Sequence, residues 1–137
     1  MSATLKQQFL GNLPAPPGED RIRSVVTAYL ASFASRDAEA RAALFAANVR
    51  VEDPVGTAPI IGLDALRSFW AMSSGAFDVT ATPKRIIVCG NEACVEFEAK
   101  LNAGGDQATI SCIETFKLSD AGLIVEMRAF FDRTCIS

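Results

Sequence analysis

The chain has 137 residues, of which half are apolar and 21% are charged, and its formal net charge is −3. This size and composition are typical of one globular domain, which buries about two-thirds of its unfolded surface. The net negative charge and the absence of a basic face argue against a nucleic acid as partner. No apolar run approaches the ~18 residues that a membrane helix needs, and residues 1–18 lack the pattern of a signal peptide, so we expect a cytoplasmic protein.

Histidine is absent from the chain, and the four cysteines show no Cys-x-x-Cys spacing. Without histidine, the Ser-His, Cys-His and histidine-base mechanisms are all excluded. A mixed histidine and cysteine metal site is excluded as well, so we expect buried thiols, no metal and no cofactor. Acid-base chemistry in this chain must therefore use Asp, Glu, Tyr or Lys.

The first half of the chain predicts helices. Residues 1–18, which end in PAPPG, are expected to form a flexible extension. Apolar residues then recur at three-four spacing, which predicts an amphipathic helix with acidic residues in its first turn. The residues in this stripe are Ile22, Val25, Val26, Tyr29, Leu30 and Phe33. Asp37 is expected to cap a second helix, from Ala38 to about Ala47.

The second half of the chain predicts a sheet. A short strand from Val49 to Asp53 is followed by the loop PVGTAPIIG and by a third helix marked by Leu63, Leu66, Phe69 and Trp70. Strands are expected near 77–89, 93–102, 107–118 and 123–132, separated by the turn sequences GN, AGGD and SDAG. Helices followed by hairpins are typical of an α+β domain whose helices cover one face of a curved antiparallel sheet. Such a sheet can enclose a pocket.

Asp53 is the first polar group that the pattern turns toward the core. Side chains alternate along VRVED, so Asp53 shares a face with Val49 and Val51, while Arg50 and Glu52 take the other face. An ordinary structural role is also open, because Asp before Pro is common in turns and accepts backbone hydrogen bonds there.

Glu114 is the second such group. The same alternation in QATISCIETFKL places Glu114 on an apolar face with Ile110, Cys112, Phe116 and Leu118. Burial of its charged form would raise its pKa and favour a neutral acid. The alternatives are a buried arginine partner or a position outside the core on a bulged strand.

Tyr29, the only tyrosine, is the third group, and it lies within the apolar stripe of the first predicted helix. A single tyrosine in such a stripe is usually a core residue, but its hydroxyl needs a hydrogen-bond partner once it is buried. Burying three polar groups without partners costs roughly a few kcal/mol each. The three groups therefore form a mutual network or serve a chemical use.

The segment YLASFASRDAEARAALFAANVRVEDPVGTAPIIG resembles the N-terminal half of the Δ5-3-ketosteroid isomerases, which are NTF2-like and SnoaL-like proteins. ISCIETFKLSDAGLIVEMRAFF is similar to the last hairpin of that family, so the resemblance covers residues 21–132. It implies that residues 19–137 form a single NTF2-like cone, with three helices packed on a curved antiparallel β-sheet. It also implies a homodimer built on the outer face of the sheet, where we expect Ile113, Ile124 and Phe130.

The resemblance implies a role for each inward group. Asp53 takes the place of the base that transfers the proton, and Tyr29 that of a donor to the substrate oxyanion. The protonated aspartic acid of the family falls on Glu114, which is one methylene longer; ketosteroid isomerases are themselves the standard example of this pairing of base and neutral acid. The implied reaction moves a C=C bond in a 3-oxo-Δ5-steroid or a similar β,γ-unsaturated ketone through a dienolate.

Aromatic residues are expected to surround this substrate. Some family members support the oxyanion tyrosine with two further tyrosines, where this chain has Phe45 and Trp70, and Phe131 stands where relatives carry Trp. The expected contacts with an apolar ketone are Trp70, Phe45, Phe116, Phe131 and Val51.

Two other classes of function stay open. One is a different NTF2-like reaction, such as polyketide cyclisation, dehydration or epoxide hydrolysis. The absence of histidine disfavours dehydratases that depend on one, and the sequence pattern indicates no inward Arg or Asn to hold the water of an epoxide hydrolase. The other class is a non-catalytic binder of apolar ligands or an interaction domain, which would not need both inward acids.

Overall fold

The computed structural model describes residues 2–14 and 18–137. In these ranges the helices are α1 (Leu5–Asn12), α2 (Glu19–Ser35), α3 (Ala38–Ala42) and α4 (Leu63–Ala76). The strands are β1 (Phe45–Glu52), β2 (Ile60–Ile61), β3 (Asp78–Cys89), β4 (Glu92–Ala103), β5 (Asp106–Leu118) and β6 (Ile124–Phe130). None of these helices is long and apolar enough to cross a membrane.

The strands form one curved sheet in the order β2-β1-β6-β5-β4-β3. Strands β3 to β6 pair as the antiparallel neighbours that the turn sequences predict, whereas β1 runs parallel to β6. Gly90 and Gly104 lie in the two hairpin turns with φ of 59° and 60°, a conformation that favours glycine. The α+β class predicted from the sequence is confirmed.

Helix α2 forms where its apolar stripe predicts. Ile22, Val26, Tyr29 and Leu30 are all buried, and the helix lies across β3. Burying a side chain of this size contributes roughly 1.5–3 kcal/mol, so the stripe fixes α2 firmly on the sheet. Helix α4 packs beside β1. Helices α2 and α4 both contribute buried residues to the core on the concave face of the sheet.

The second predicted helix is shorter than expected. Asp37 caps it as predicted, because its carboxylate accepts a hydrogen bond from the Ala40 N–H at 3.0 Å. The helix ends at Ala42, however, and β1 already begins at Phe45, where a helix was predicted up to about Ala47. Phe45 pairs with Ile124 of β6 and enters the core, so tertiary pairing overrides the helix propensity of this alanine-rich segment.

Ile124 does not lie on the outer face of the sheet as predicted. It is fully buried, because the pairing of β5 with β6 shifts register next to Leu118 and this reverses the alternation at the start of β6. Ile113 and Phe130 do lie on the outer face, where they are 46% and 42% exposed.

The N-terminal extension contains helix α1. Thr4 and Gln7 form a capping box at its start, and every residue from 2 to 14 is exposed. The flexibility expected for residues 1–18 stays a prediction, and residues 15–17 of the PAPPG segment lie outside the described residues.

Candidate active site

A cavity of about 470 Å³ lies between α2, α4 and the concave face of the sheet. This volume falls within the roughly 300–1,000 Å³ that is usual for small-molecule sites. Its walls are mainly aromatic and aliphatic, including Phe33, Phe69, Phe77, Phe97 and Ile110. Tyr29, Asp53 and Glu114 all line it, so the three inward groups that the sequence pattern indicates lie in one apolar cavity.

Asp53 reaches the cavity because it continues the inward face of β1. Val49 and Val51 are fully buried, whereas the Glu52 carboxylate accepts a hydrogen bond from Arg50 on the opposite face at 2.6 Å. The predicted alternation along VRVED is therefore confirmed. Burial raises the pKa of Asp53, which increases the proton affinity of its carboxylate.

Glu114 lies within β5 and is only 4% exposed. Both alternatives considered for it are excluded, because β5 pairs without a break at this position and no described arginine forms an ion pair with it. Burial, and then the charge of Asp53, raise the pKa of Glu114 well above its ordinary value, and hydrogen bonding with Tyr29 opposes this rise. Burial and the Asp53 charge therefore favour the protonated, neutral form of Glu114.

One oxygen of Glu114 has no partner. Within the part of the chain that the structure describes, Oε1 is buried and makes no hydrogen bond. An unsatisfied buried oxygen costs about 1–3 kcal/mol, and few occur in native proteins. Glu114 lines the cavity, but Oε1 itself is inaccessible to solvent, so the unpaired oxygen lies away from the open space of the cavity.

Three aromatic rings fix Tyr29 in place. Phe33, Phe45 and Phe116 meet its ring edge-on, with centroids at 5.2, 5.6 and 5.5 Å. Burial, followed by the charges of Glu114 and Asp53, raises the pKa of Tyr29 well above its ordinary value. Tyr29 is therefore a neutral phenol that can donate a hydrogen bond into the cavity.

The expected substrate contacts divide into two groups. Trp70 and Phe131 line the cavity, as predicted for contact residues. Val51, Phe45 and Phe116 are buried and are not part of the cavity wall, so the structure revises their expected role. The alternation of side chains along a strand predicts the face of the sheet on which a residue lies. It does not predict whether that residue lines the cavity or is buried behind its wall. Phe45 and Phe116 instead hold the Tyr29 ring from behind.

Arg41 is a cavity residue that the sequence pattern did not indicate as inward, and it corrects the expectation of no inward arginine. Its side chain is only 5% exposed, and its guanidinium lies 3.9 Å from the Phe33 ring centroid and 4.9 Å from that of Trp70. The Nε and Nη2 groups donate to the Ser32 hydroxyl and carbonyl at 2.8 and 3.0 Å. Its partners lie on α2 and α4, so no spacing within α3 signalled its burial.

Arg41 also acts on the charges in the cavity. Burial lowers the pKa of Arg41, but a guanidinium stays protonated at neutral pH. Its positive charge lowers the pKa of Tyr29 and so offsets part of the effect of the two acids. The cavity is therefore lined by two carboxyl groups, one phenol and a buried guanidinium.

Known proteins share this fold and parts of this sequence. Residues 26–127 match the SnoaL-like domain family. A steroid Δ-isomerase of Nocardioides simplex is 29% identical over 110 residues, which cover 80% of this chain and 89% of that protein.

Among solved structures, the epoxide hydrolase/cyclase-like enzyme SalBIII, which acts in pyran ring formation in polyether salinomycin, matches with a TM-score of 0.80 and 26% identity over 87% of this chain and 96% of its own. A Δ5-3-ketosteroid isomerase from Mycobacterium sp. matches with a TM-score of 0.78 and 23% identity over 85% of this chain and 97% of its own. The resemblance seen in the sequence is thus confirmed. The chain belongs to the SnoaL-like domain family.

Proposed function

We propose that the protein is an isomerase that moves a C=C bond of a 3-oxo-Δ5-steroid, or a similar β,γ-unsaturated ketone, into conjugation with the carbonyl. The observation that carries this proposal is the meeting of Asp53, Tyr29 and Glu114 in one apolar cavity, with the two carboxyls in different environments. Pairs of acids whose environments separate their pKa values are typical of sites that divide the roles of base and acid.

Tyr29 and Glu114 bind the ketone oxygen in this proposal. Burial raises the pKa of both groups, which favours their protonated forms, so in this proposal each donates a hydrogen bond to the oxygen as negative charge develops on it.

Asp53 moves the proton. Its carboxylate removes a proton from the carbon between the carbonyl and the C=C bond, and the electrons shift to give a dienolate held by Tyr29 and Glu114. The same proton then returns from Asp53 to the far carbon of the conjugated system, so the reaction needs no water and no co-reactant. The aromatic walls keep water from the dienolate.

The steroid Δ-isomerase relative supports the choice of substrate, because its match extends over 80% of this chain and 89% of its own length. The family also includes enzymes of other reactions, and the fold alone does not select among them.

Epoxide opening is the second candidate, and Arg41 is the observation that favours it. A neutral acid and a buried cation in one cavity can polarise an epoxide oxygen while a carboxylate activates a nucleophile.

The test of the isomerase is direct. A Δ5-3-ketosteroid is added to the protein, and the ultraviolet absorbance of the conjugated enone is followed with time. The exchange Asp53→Asn should reduce the rate by about 10²–10⁴, because a positioned base contributes that much. Asp120→Asn, in the exposed turn before β6, is the matched control and should keep the rate of the unmutated protein.

Three results would contradict the proposal. Unchanged turnover by Asp53→Asn would remove Asp53 from the chemistry. Tight binding of a phenolic steroid with no isomerisation would favour a non-catalytic binder. Conversion of an epoxide, with the ketosteroid left unreacted, would favour the second candidate.

We also propose that two copies associate through the outer face of the sheet. Ile113 and Phe130 expose large apolar side chains there, and both would be covered in a dimer. The exchange Ile113→Lys should convert a dimer to a monomer in sedimentation experiments. A protein that is monomeric before the exchange would refute this assembly.

A further inference from the structure

Arg41 carries a charge that the chain does not neutralise. Across residues 2–14 and 18–137, no carboxylate lies within ion-pair distance of its guanidinium. A buried charge is costly unless it is paired, and charged side chains are almost never fully buried without a partner. The charge of Asp37 raises the pKa of Arg41 from beyond ion-pair distance, so the buried charge is partly compensated but forms no ion pair.

Only part of the Arg41 side chain stabilises the fold through hydrogen bonds. Nε and Nη2 bind Ser32 near the end of α2, which accounts for two of the three guanidinium nitrogens. Nη1 makes no hydrogen bond to any described residue, and Arg41 lines the cavity. A purely structural role of Arg41 does not account for the unpaired Nη1.

Two further arginines line the cavity, and both differ from Arg41. Arg36 is paired with Asp78 and Arg67 with Glu39, and both side chains are largely exposed. Exposed pairs of this kind contribute little to binding, because water screens them. Arg41 is the buried arginine of this set, and no carboxylate of the described chain is paired with it.

We propose that Arg41 forms a second polar site in the cavity, which binds a carboxylate carried by the substrate away from its reacting ketone. This inference rests on the proposed function for the ketone end and names the substrate class as an apolar keto acid. A carboxylate would accept hydrogen bonds from the free Nη1 and would supply the missing negative charge.

The two polar sites lie close together on the same wall. Phe33 contacts both, with its ring centroid 3.9 Å from the Arg41 guanidinium carbon and 5.2 Å from the Tyr29 ring centroid. Both sites open to one cavity whose remaining walls are mainly apolar. A compact apolar molecule that carries a ketone and, a short distance away, an acid would contact both.

The experiment is a binding titration followed by the fluorescence of Trp70, which is the only tryptophan and lies against Arg41. The two probes are a bicyclic conjugated enone with a carboxylic acid on a short arm, and the methyl ester of that acid. We expect the acid to bind about tenfold more tightly than the ester at low salt, as a hydrogen bond to a charged group predicts.

Variants assign the preference to one residue. Arg41→Met should make the two probes bind equally while affinity for the ester is kept, and Arg41→Lys should retain part of the preference for the acid. Arg85→Met, an exposed arginine on β3 that does not line the cavity, is the matched control and should keep the full preference.

Equal binding of acid and ester by the unmutated protein would overturn the proposal, and this result does not depend on whether any variant folds. An acid preference that survives in Arg41→Met would overturn it as well. Because the titration involves no turnover, it is independent of the isomerase assay. An acid preference without isomerisation would refute the reaction and leave the Arg41 site standing.

Discussion

Exchange of Glu114 for glutamine tests the state of the buried acid without any assumption about substrate. Glutamine has nearly the same shape but cannot ionise, so Glu114→Gln removes only the titration of this group. Glu114 is 4% exposed and its pKa is raised well above its ordinary value by burial and by the charge of Asp53. The stability of the protein should therefore depend on pH through Glu114, and the variant should lack that dependence.

The sign follows from the direction of the shift. In the unfolded chain Glu114 loses its proton near pH 4.3, as an ordinary glutamic acid does. The folded chain keeps the proton to a higher pH, so the stability present below the unfolded pKa is lost as pH rises toward the folded pKa. Each pKa unit of the shift removes about 1.4 kcal/mol, and the loss measured by unfolding reports the size of the shift.

Urea unfolding between about pH 4 and about pH 8 measures this loss as the free energy of unfolding. The unmutated protein should lose stability with rising pH over this range relative to Glu114→Gln. Asp53 titrates in both proteins, so its contribution to the pH dependence cancels to first order in the comparison. The variant Glu96→Gln, on the exposed side of β4, controls for the loss of a carboxyl group. Parallel stability curves for the unmutated protein and Glu114→Gln would refute the assignment of a neutral buried acid.

Three further predictions follow from the same structure. Tyr29→Phe should reduce isomerisation by about 10²–10³, as loss of one oxyanion donor does, and spectroscopic titration of this single tyrosine should show ionisation only well above pH ~10. The value of kcat/KM should rise with pH as Asp53 ionises, with a midpoint above the ordinary ~3.9 of aspartic acid; a midpoint at that value would contradict the burial of Asp53. Leu66→Ala should destabilise the protein by about 2–5 kcal/mol in urea unfolding, because Leu66 is fully buried in the core, and a loss below ~1 kcal/mol would show that the core can collapse around the site.

Patterns among residues close together in the sequence predicted the elements that form through short-range interactions. The three-four stripe located α2, the turn sequences located the hairpins, and two-residue alternation placed Asp53 and Glu114 on inward faces. These signals are strong because a one-residue slip in a strand would turn its whole apolar set to water. The pattern was sufficient to bring together the three groups now proposed to act.

The features that these patterns did not predict depend on contacts with residues that are distant in the sequence. Phe45 becomes a strand residue because β6 pairs with it, and Ile124 is buried because the register shifts beside it. Arg41 was the most consequential omission. Its burial depends on Phe33 and Trp70, which belong to two different helices, and no count along its own helix reveals that pair.

The longer acid at position 114 is consistent with the space that its strand neighbours leave. Glu114 is paired in register with Val95 and Ala129, both small and both buried, so an additional methylene does not have to displace a large side chain. Burial and the Asp53 charge hold the acid neutral whatever its length, since both act on the carboxyl through the cavity. The extra methylene therefore moves the carboxyl hydrogen by about 1 Å. It does not change the effects that favour protonation. A shift of that size selects among substrate shapes, which is why the ketone end and the Arg41 end of the cavity must be tested with the same molecule.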